Sequence, residues 1–255
     1  MINLIRKLLI LNILVFSSLP LLAFSSSSYL ISQSAFNNYD YSDALSSFSD
    51  EEIKLSGSNL VDKMISAVIV EDINLAFNIA SEILIEDNEN QEAIIVKLVF
   101  LYSNKIYNKV KETQKILKEK NDLVNFIFFN NNELKDNKTI SKSLVDIVVS
   151  SFSTAEQNTL NYNFLLFYTS LAQIIDNTND RATLIKGELF QNIQKSKLAE
   201  EYFLRILPSS SFYLEAQRSL AINYSNFLSY EEAQKQIKIL IKNNDNNYSL
   251  KKILA

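Results

Sequence analysis

The sequence predicts an all-α protein built as a solenoid of antiparallel helix hairpins, and three observations carry that expectation. The 255 residues include two Gly and two Pro, too few turn residues for a β sandwich or a nucleotide-binding fold. Leu, Ile, Lys, Glu and Ala, which favour helix, are abundant. Near the C-terminus, Glu215 to Leu240 carries two successive runs of apolar or small residues at three-and-four spacing, which is one buried face per helix. A hairpin that buries one stripe per helix needs neighbours, and weaker copies of this one recur upstream.

Residues 1–25 read as a signal peptide. Arg6 and Lys7 precede an apolar run from Leu8 to Phe24, and Ala23-Phe24-Ser25 places small residues where a signal peptidase reads, with cleavage after Ser25. An uncleaved membrane anchor is the alternative, although the run is short for a span of about 20 residues. No Cys follows, which excludes lipoprotein anchoring. The expected location is therefore the periplasm or the periplasmic face of an envelope membrane.

Residues 26–255 make up the solenoid, with the clearest hairpins at about 28–54, 59–87, 92–120, 181–208 and 214–243 and irregular helices over 121–180. The first hairpin places Ser32 in its first helix and Tyr41, Ala44 and Phe48 in its second. The next two carry Ile73, Ala76 and Ala80, then Tyr107, Val110 and Gln114. In the middle, Leu123–Phe129 is strongly apolar, and the Asn-rich stretch 130–139 reads as a loop. Ile140–Phe152 reads as a helix with Leu144, Ile147, Val148 and Ser151 on one face. A long helix is expected from Thr154 through Ile175, followed by a polar turn at Asp176–Asp180 and a helix over Leu184–Ile193. The run Ile147–Phe152 has β-like composition but no partner run with hairpin chemistry. The fourth clear hairpin carries Gly187, Ala199, Phe203 and Ile206, ending at Pro208. The last carries Leu220, Ala221, Tyr224, Phe227 and Leu228, a turn with Ser229 as N-cap and Glu232 completing a capping box, then Tyr230, Ala233, Ile237, Leu240 and Ile241. The closing LKKILA begins either a short cap or a further repeat of a longer protein.

These residues resemble the tetratricopeptide repeat, whose first helix offers a small residue for close packing of the second. Its second helix opens with an aromatic, then a small residue, then a large apolar one. Ala44 to Ala76 is 32 residues, Ala76 to Val110 is 34 and Ala199 to Ala233 is 34, against a family period of about 34. Gln114 departs from the pattern, and Ala35 and Ala67 replace the usual aromatic of the first helix. The resemblance covers most of the chain after residue 28 and implies a right-handed superhelix that binds a protein or peptide partner. The layout also resembles long exported repeat proteins of alphaproteobacteria.

In that family the first helices of successive hairpins build the inner wall. Carried over by register, the partner-binding groove would be lined by Tyr29, Gln33 and Phe36, by Val61, Ile65 and Val68, and by Ile95, Val99 and Tyr102. The last two hairpins would contribute Leu184, Glu188 and Gln191, then Arg218, Ile222 and Ser225. A clamp for a terminal carboxylate needs several Lys, Arg and Asn at such positions, and Arg218 alone matches. The apolar front wall is open to two readings: a groove, or a face covered by a tight superhelix, a neighbouring helix or another copy of the chain.

The composition points away from catalysis. His and Cys are absent, which removes the commonest bases, nucleophiles and zinc ligands. Gly57 and Gly187 are isolated, so no phosphate loop is present. Glu51-Glu52, Glu200-Glu201 and Glu231-Glu232 are sequence neighbours, which splay by about 100° on a helix and face apart. We therefore expect no enzyme activity, no catalytic residues, no metal and no cofactor. The net charge is −4; without Arg6 and Lys7 it is −6, from 23 basic and 29 acidic residues. With no basic stripe, nucleic acid is not an expected partner. The one basic patch, Lys105 to Lys120, reads as a solvated helix face. The function these features imply is an exported scaffold for protein–protein interaction. Alternatives are a non-catalytic helical accessory region of a cell-wall-processing enzyme, or a self-assembling structural protein. A membrane enters only through an uncleaved leader.

Overall fold

The computed structural model describes residues 28–48, 58–117, 122–130, 133–154, 160–228 and 230–243. The described chain is helical, with successive helices packed as hairpins and one minimal β ladder. It divides into two compact units, Met1–Asn88 and Glu89–Ala255. The leader, the Ser229 cap and the LKKILA segment lie outside the described residues.

In the first unit, α1 (residues 28–37) and α2 (Tyr41–Phe48) form one hairpin, and α3 (Ser58–Ile69) and α4 (Ile73–Glu86) the next. The second unit begins with α5 (Gln91–Ser103), α6 (Tyr107–Leu117) and α7 (Asp122–Phe128). The ladder of β1 (Phe129–Asn130) and β2 (Glu133–Leu134) follows. Then come α8 (Asn137–Thr154), α9 (Tyr162–Ile175), α10 (Asp180–Asn192), α11 (Ser196–Arg205), α12 (Tyr213–Asn223), a π-helical turn (Tyr224–Leu228) and α13 (Tyr230–Asn243).

One turn geometry joins the two helices in four of the hairpins. Tyr39, Glu71, Lys105 and Gln194 all have positive φ, from 59° to 67°. In each case the N–H of that residue donates three residues back. The next N–H donates five residues back: Asp40 to Ala35, Asp72 to Ala67, Ile106 to Leu101 and Lys195 to Phe190, at 2.8–2.9 Å. This is the Schellman arrangement, which satisfies the last carbonyls of the first helix. The left-handed residue lies five before Ala44, Ala76, Val110 and Ala199 in turn. The backbone therefore repeats in the register that the side-chain pattern predicted. The last hairpin departs from it: Leu228, five before Ala233, ends the π turn instead.

The second helices pack as their pattern requires. Tyr41, Ala44 and Phe48, Ala76 and Ala80, Val110, Ala199, Phe203 and Ile206, and Ala233 and Ile237 are all buried. Tyr107, at 40% exposure, and Ile73, half-buried, are exceptions. Gly187 shows why a small residue is needed in the first helix. A Cβ there would stand 2.6 and 2.8 Å from Cε1 and Cδ1 of Phe203, closer than carbon atoms approach.

The structure corrects three expectations. The long helix from Thr154 through Ile175 is divided: α8 runs to Thr154 and α9 starts at Tyr162. Asn161 starts α9, because its side chain accepts the Phe164 N–H at 3.1 Å and so favours a helix beginning over a helix interior. The stretch 130–139 is not wholly loop. Phe129 pairs with Leu134 and Asn130 with Glu133, and α8 already begins at Asn137, capped by Asp136 through the Thr139 N–H at 2.8 Å. The final first helix does not continue to Leu228 as an α-helix, since α12 stops at Asn223.

Two helices of the second unit are buried nearly all round. On α5, Ala93–Val96, Leu98, Val99, Leu101 and Tyr102 are buried, and on α9, Leu165–Ala172 and Ile175. A helix apolar on every side belongs inside a bundle. Here α5 is enclosed by α6, α7 and α9, while α9 packs on α5, α8 and α10.

Candidate partner-binding surface

In each unit, adjacent first helices are tied along a seam by polar side chains. In the first unit Gln33 Nε2 on α1 donates to Asp62 Oδ2 on α3 at 3.0 Å, with Asn59 Oδ1 at 3.4 Å. In the second, Ser219 Oγ on α12 donates to Glu188 Oε1 on α10 at 3.4 Å, and Gln191 Nε2 donates to the Ser219 carbonyl at 3.2 Å. Gln33 and Glu188 each lie six residues before their left-handed turn residue. Asp62 lies nine before Glu71, and Ser219 nine before Leu228. The two seams therefore use one register position on each side, with donor and acceptor exchanged.

Each seam holds a partly buried carboxylate that accepts from a neutral side chain. Burial raises the Asp62 pKa above the ordinary carboxylate value, and the Gln33 hydrogen bond opposes the shift. Burial, then the charge of Glu215, raises that of Glu188, against the Ser219 hydrogen bond. Lys63, the neighbour of Asp62 in sequence, is committed elsewhere. Its Nζ donates to the Phe48 carbonyl at 3.2 Å, and burial lowers its pKa while Glu82 opposes that.

The nine residues expected to line a groove fall into two groups. Tyr29 and Gln33 on α1 and Val61 and Ile65 on α3 are half-buried and border the α1–α3 seam. Phe36, Val68, Ile95, Val99 and Tyr102 are buried, with Val68, Ile95 and Val99 at 0% exposure. In this fold those five are core. For Ile95, Val99 and Tyr102 the physical reason is the irregular middle segment. Tyr102 stacks on Phe128 of α7 with ring centres 5.6 Å apart and donates to its carbonyl at 3.3 Å. Phe36 packs edge-on against Tyr41 at 6.0 Å. Among the later wall residues, Leu184 is buried, Glu188 and Gln191 are half-buried, and Arg218, Ile222 and Ser225 are exposed.

Sequence reasoning missed Asp62, Asn59 and Ser219. Each is an ordinary polar residue in an amphipathic helix, and only alignment on the turn residues places Asp62 and Ser219 at one position. Asn137 and Asn223, which each open an Asn-X-Ser/Thr triplet, are engaged structurally. Asn137 Nδ2 donates to the Ile175 carbonyl at 3.1 Å, and Asn223 is fully buried. Where α8, α10 and the approach to α12 meet, an open recess of about 310 Å³ is lined by Lys138, Asp176, Asn179, Arg181 and Ser210. Its polar groups largely serve the structure: Asn179 caps α10, Asp176 accepts from Thr178, and Arg181 lies 3.7 Å from Asp146. Among the described residues, no helix is long and apolar enough to cross a membrane, and no group of three His, Cys, Asp or Glu could hold a metal.

No protein-family model matches the chain, and no curated protein matches it. Among solved structures, a crystal structure of the MamA protein matches at 10% identity over 89% of this chain and 94% of that one, with a TM-score of 0.28. A superposition that loose carries no argument about fold or function.

Proposed function

We propose that this chain is an exported helical-repeat scaffold of tetratricopeptide type that binds a protein partner on the wall formed by α1 and α3. The carrying observation is that Tyr29, Val61 and Ile65 stay half-exposed beside the Gln33–Asp62 seam, while Phe36, Val68, Ile95, Val99 and Tyr102 are taken into the core. Half-exposed apolar side chains on adjacent helices, next to a polar group that fixes orientation, are what a helix- or strand-like peptide uses for docking. The Schellman turns of four hairpins support the repeat reading, because they recur in the register of the side-chain pattern. The leader over residues 1–25 supports the location, periplasm or envelope surface.

Two experiments test this reading. A photo-reactive residue at position 65 is expected to cross-link a partner protein in envelope extract, and Val61→Glu is expected to abolish the adduct without changing helicity. An adduct that survives Val61→Glu would place the interaction elsewhere. N-terminal sequencing of fractionated protein tests export: a mature chain starting near Ser26 is expected, and an intact Met1 in the cytoplasm would reject it.

A further inference from the structure

Resting on that reading of the first unit, we propose that the α1–α3 wall docks a polypeptide segment presenting a Lys or Arg side chain between apolar residues, with Asp62 receiving the cation. The first argument is charge. Residues 26–88 contain 11 acidic and 2 basic residues, whereas residues 89–255 contain 18 acidic and 21 basic. The acidic excess lies almost wholly in the unit that carries the wall, and such a field draws in basic partners and repels acidic ones. Among the described residues of that unit the single cation is Lys63, whose ammonium is held by the Phe48 carbonyl.

The second argument is local. The Asp62 carboxylate is partly buried and accepts from the neutral amide of Gln33 at 3.0 Å. A charge-assisted partner would bind it roughly twice as strongly as an amide does, and partial burial limits screening by salt. Burial holds its pKa up, and among the described residues of this unit the one cation, Lys63, is turned to the Phe48 carbonyl. Apolar side chains flank it on both helices: Tyr29 lies one turn before Gln33 on α1, and Val61 and Ile65 are spaced by one turn on α3. A cation with apolar neighbours matches that order, carboxylate in the seam and hydrocarbon on either side. The equivalent seam of the second unit is less suited, since its carboxylate Glu188 belongs to the part of the chain with the basic excess.

The test uses the full chain and a library of blocked nine-residue peptides with central Lys, norleucine or Glu and flanks drawn from Ala, Leu and Phe. Lys members are expected to bind about tenfold more tightly than norleucine members, and Glu members not at all. Asp62→Asn should reduce Lys binding to the norleucine level while leaving norleucine binding unchanged. Gln33→Lys, which supplies an internal cation to the same carboxylate, should do likewise and guards against a fold defect particular to Asp62→Asn. Equal binding of Lys and norleucine members, or indifference to both substitutions, would overturn the cation assignment while leaving the docking surface standing. Retention of no peptide would overturn both. Sedimentation run in parallel separates a further case: Asp62-dependent dimers would make a second copy the occupant and overturn the inference.

Discussion

At the scale of single residues, the four left-handed turn residues carry an avoidable strain. Tyr, Glu, Lys and Gln occupy positions where a glycine avoids the clash between Cβ and carbonyl. Lys105→Gly and Gln194→Gly are each expected to raise stability by about 1 kcal/mol or less, because the gain in φ is partly offset by the entropy of glycine in the unfolded chain. Urea midpoints measure this, and a lowered midpoint would refute it. Gly187→Ala should act in the other direction. The Phe203 ring is fully buried and must shift within the core to admit the new methyl, so a loss of about 1–3 kcal/mol is expected despite alanine's better helix propensity. Phe203→Leu in that background should recover part of it. Glu188 gives a pH signature. Its folded pKa is raised above the ordinary 4.5, so the folded state holds the proton more tightly and stability falls as pH rises upward from that value. Glu188→Gln should flatten this slope, visible as a smaller difference in Tm between pH 4.5 and 7. None of these turn residues was legible in advance, since the rule for helix ends looks for Gly or Asn. Gly187 was legible, because the repeat pattern demands a small residue there.

At the scale of elements, polar starts set the boundaries that periodicity alone misplaces. Asn90, Asn161 and Asn179 accept the N–H three residues on, each at 3.1 Å, and Asp72 does so at 3.0 Å. Asn therefore has a structural use at these sites. Asn179 does more than cap, since its Nδ2 also donates to Ser141 Oγ at 2.8 Å, and that hydroxyl donates to the Ala172 carbonyl at 2.8 Å. Asn179→Ala should therefore lose about 1–2 kcal/mol, more than Asn161→Ala at about 1 kcal/mol. Equal losses in thermal melts would show that the buried link contributes nothing. The apolar richness of α9 was visible in the sequence as a strong run. That it packs on α5, α8 and α10 was not, because composition shows how much must be buried and leaves the partner open.

At the scale of the whole molecule, charge is distributed unevenly along the chain while the net value stays small. Two parts of opposite sign, with 11 acidic against 2 basic residues over 26–88, make association with a basic segment dependent on salt. Raising ionic strength from 0.01 to 0.15 M shortens the Debye length from about 30 to about 8 Å. Binding of the Lys peptides should weaken several-fold over that range, chiefly through the association rate. The norleucine peptides should show no such trend, and a shared trend would point to non-specific attraction by the unit as a whole.

The sequence by itself determined the helical class, the hairpin as building block and the spacing near 34. These follow from local periodicity, which each segment carries within itself. Only the tertiary structure decided which of the expected wall residues stay at the surface. Ile95, Val99 and Tyr102 have the same pattern as Val61 and Ile65, yet α7 and α9 enclose α5 and take them into the core. That outcome depends on packing between segments far apart in sequence, and an apolar side chain reads the same whether a neighbouring helix or a partner will cover it.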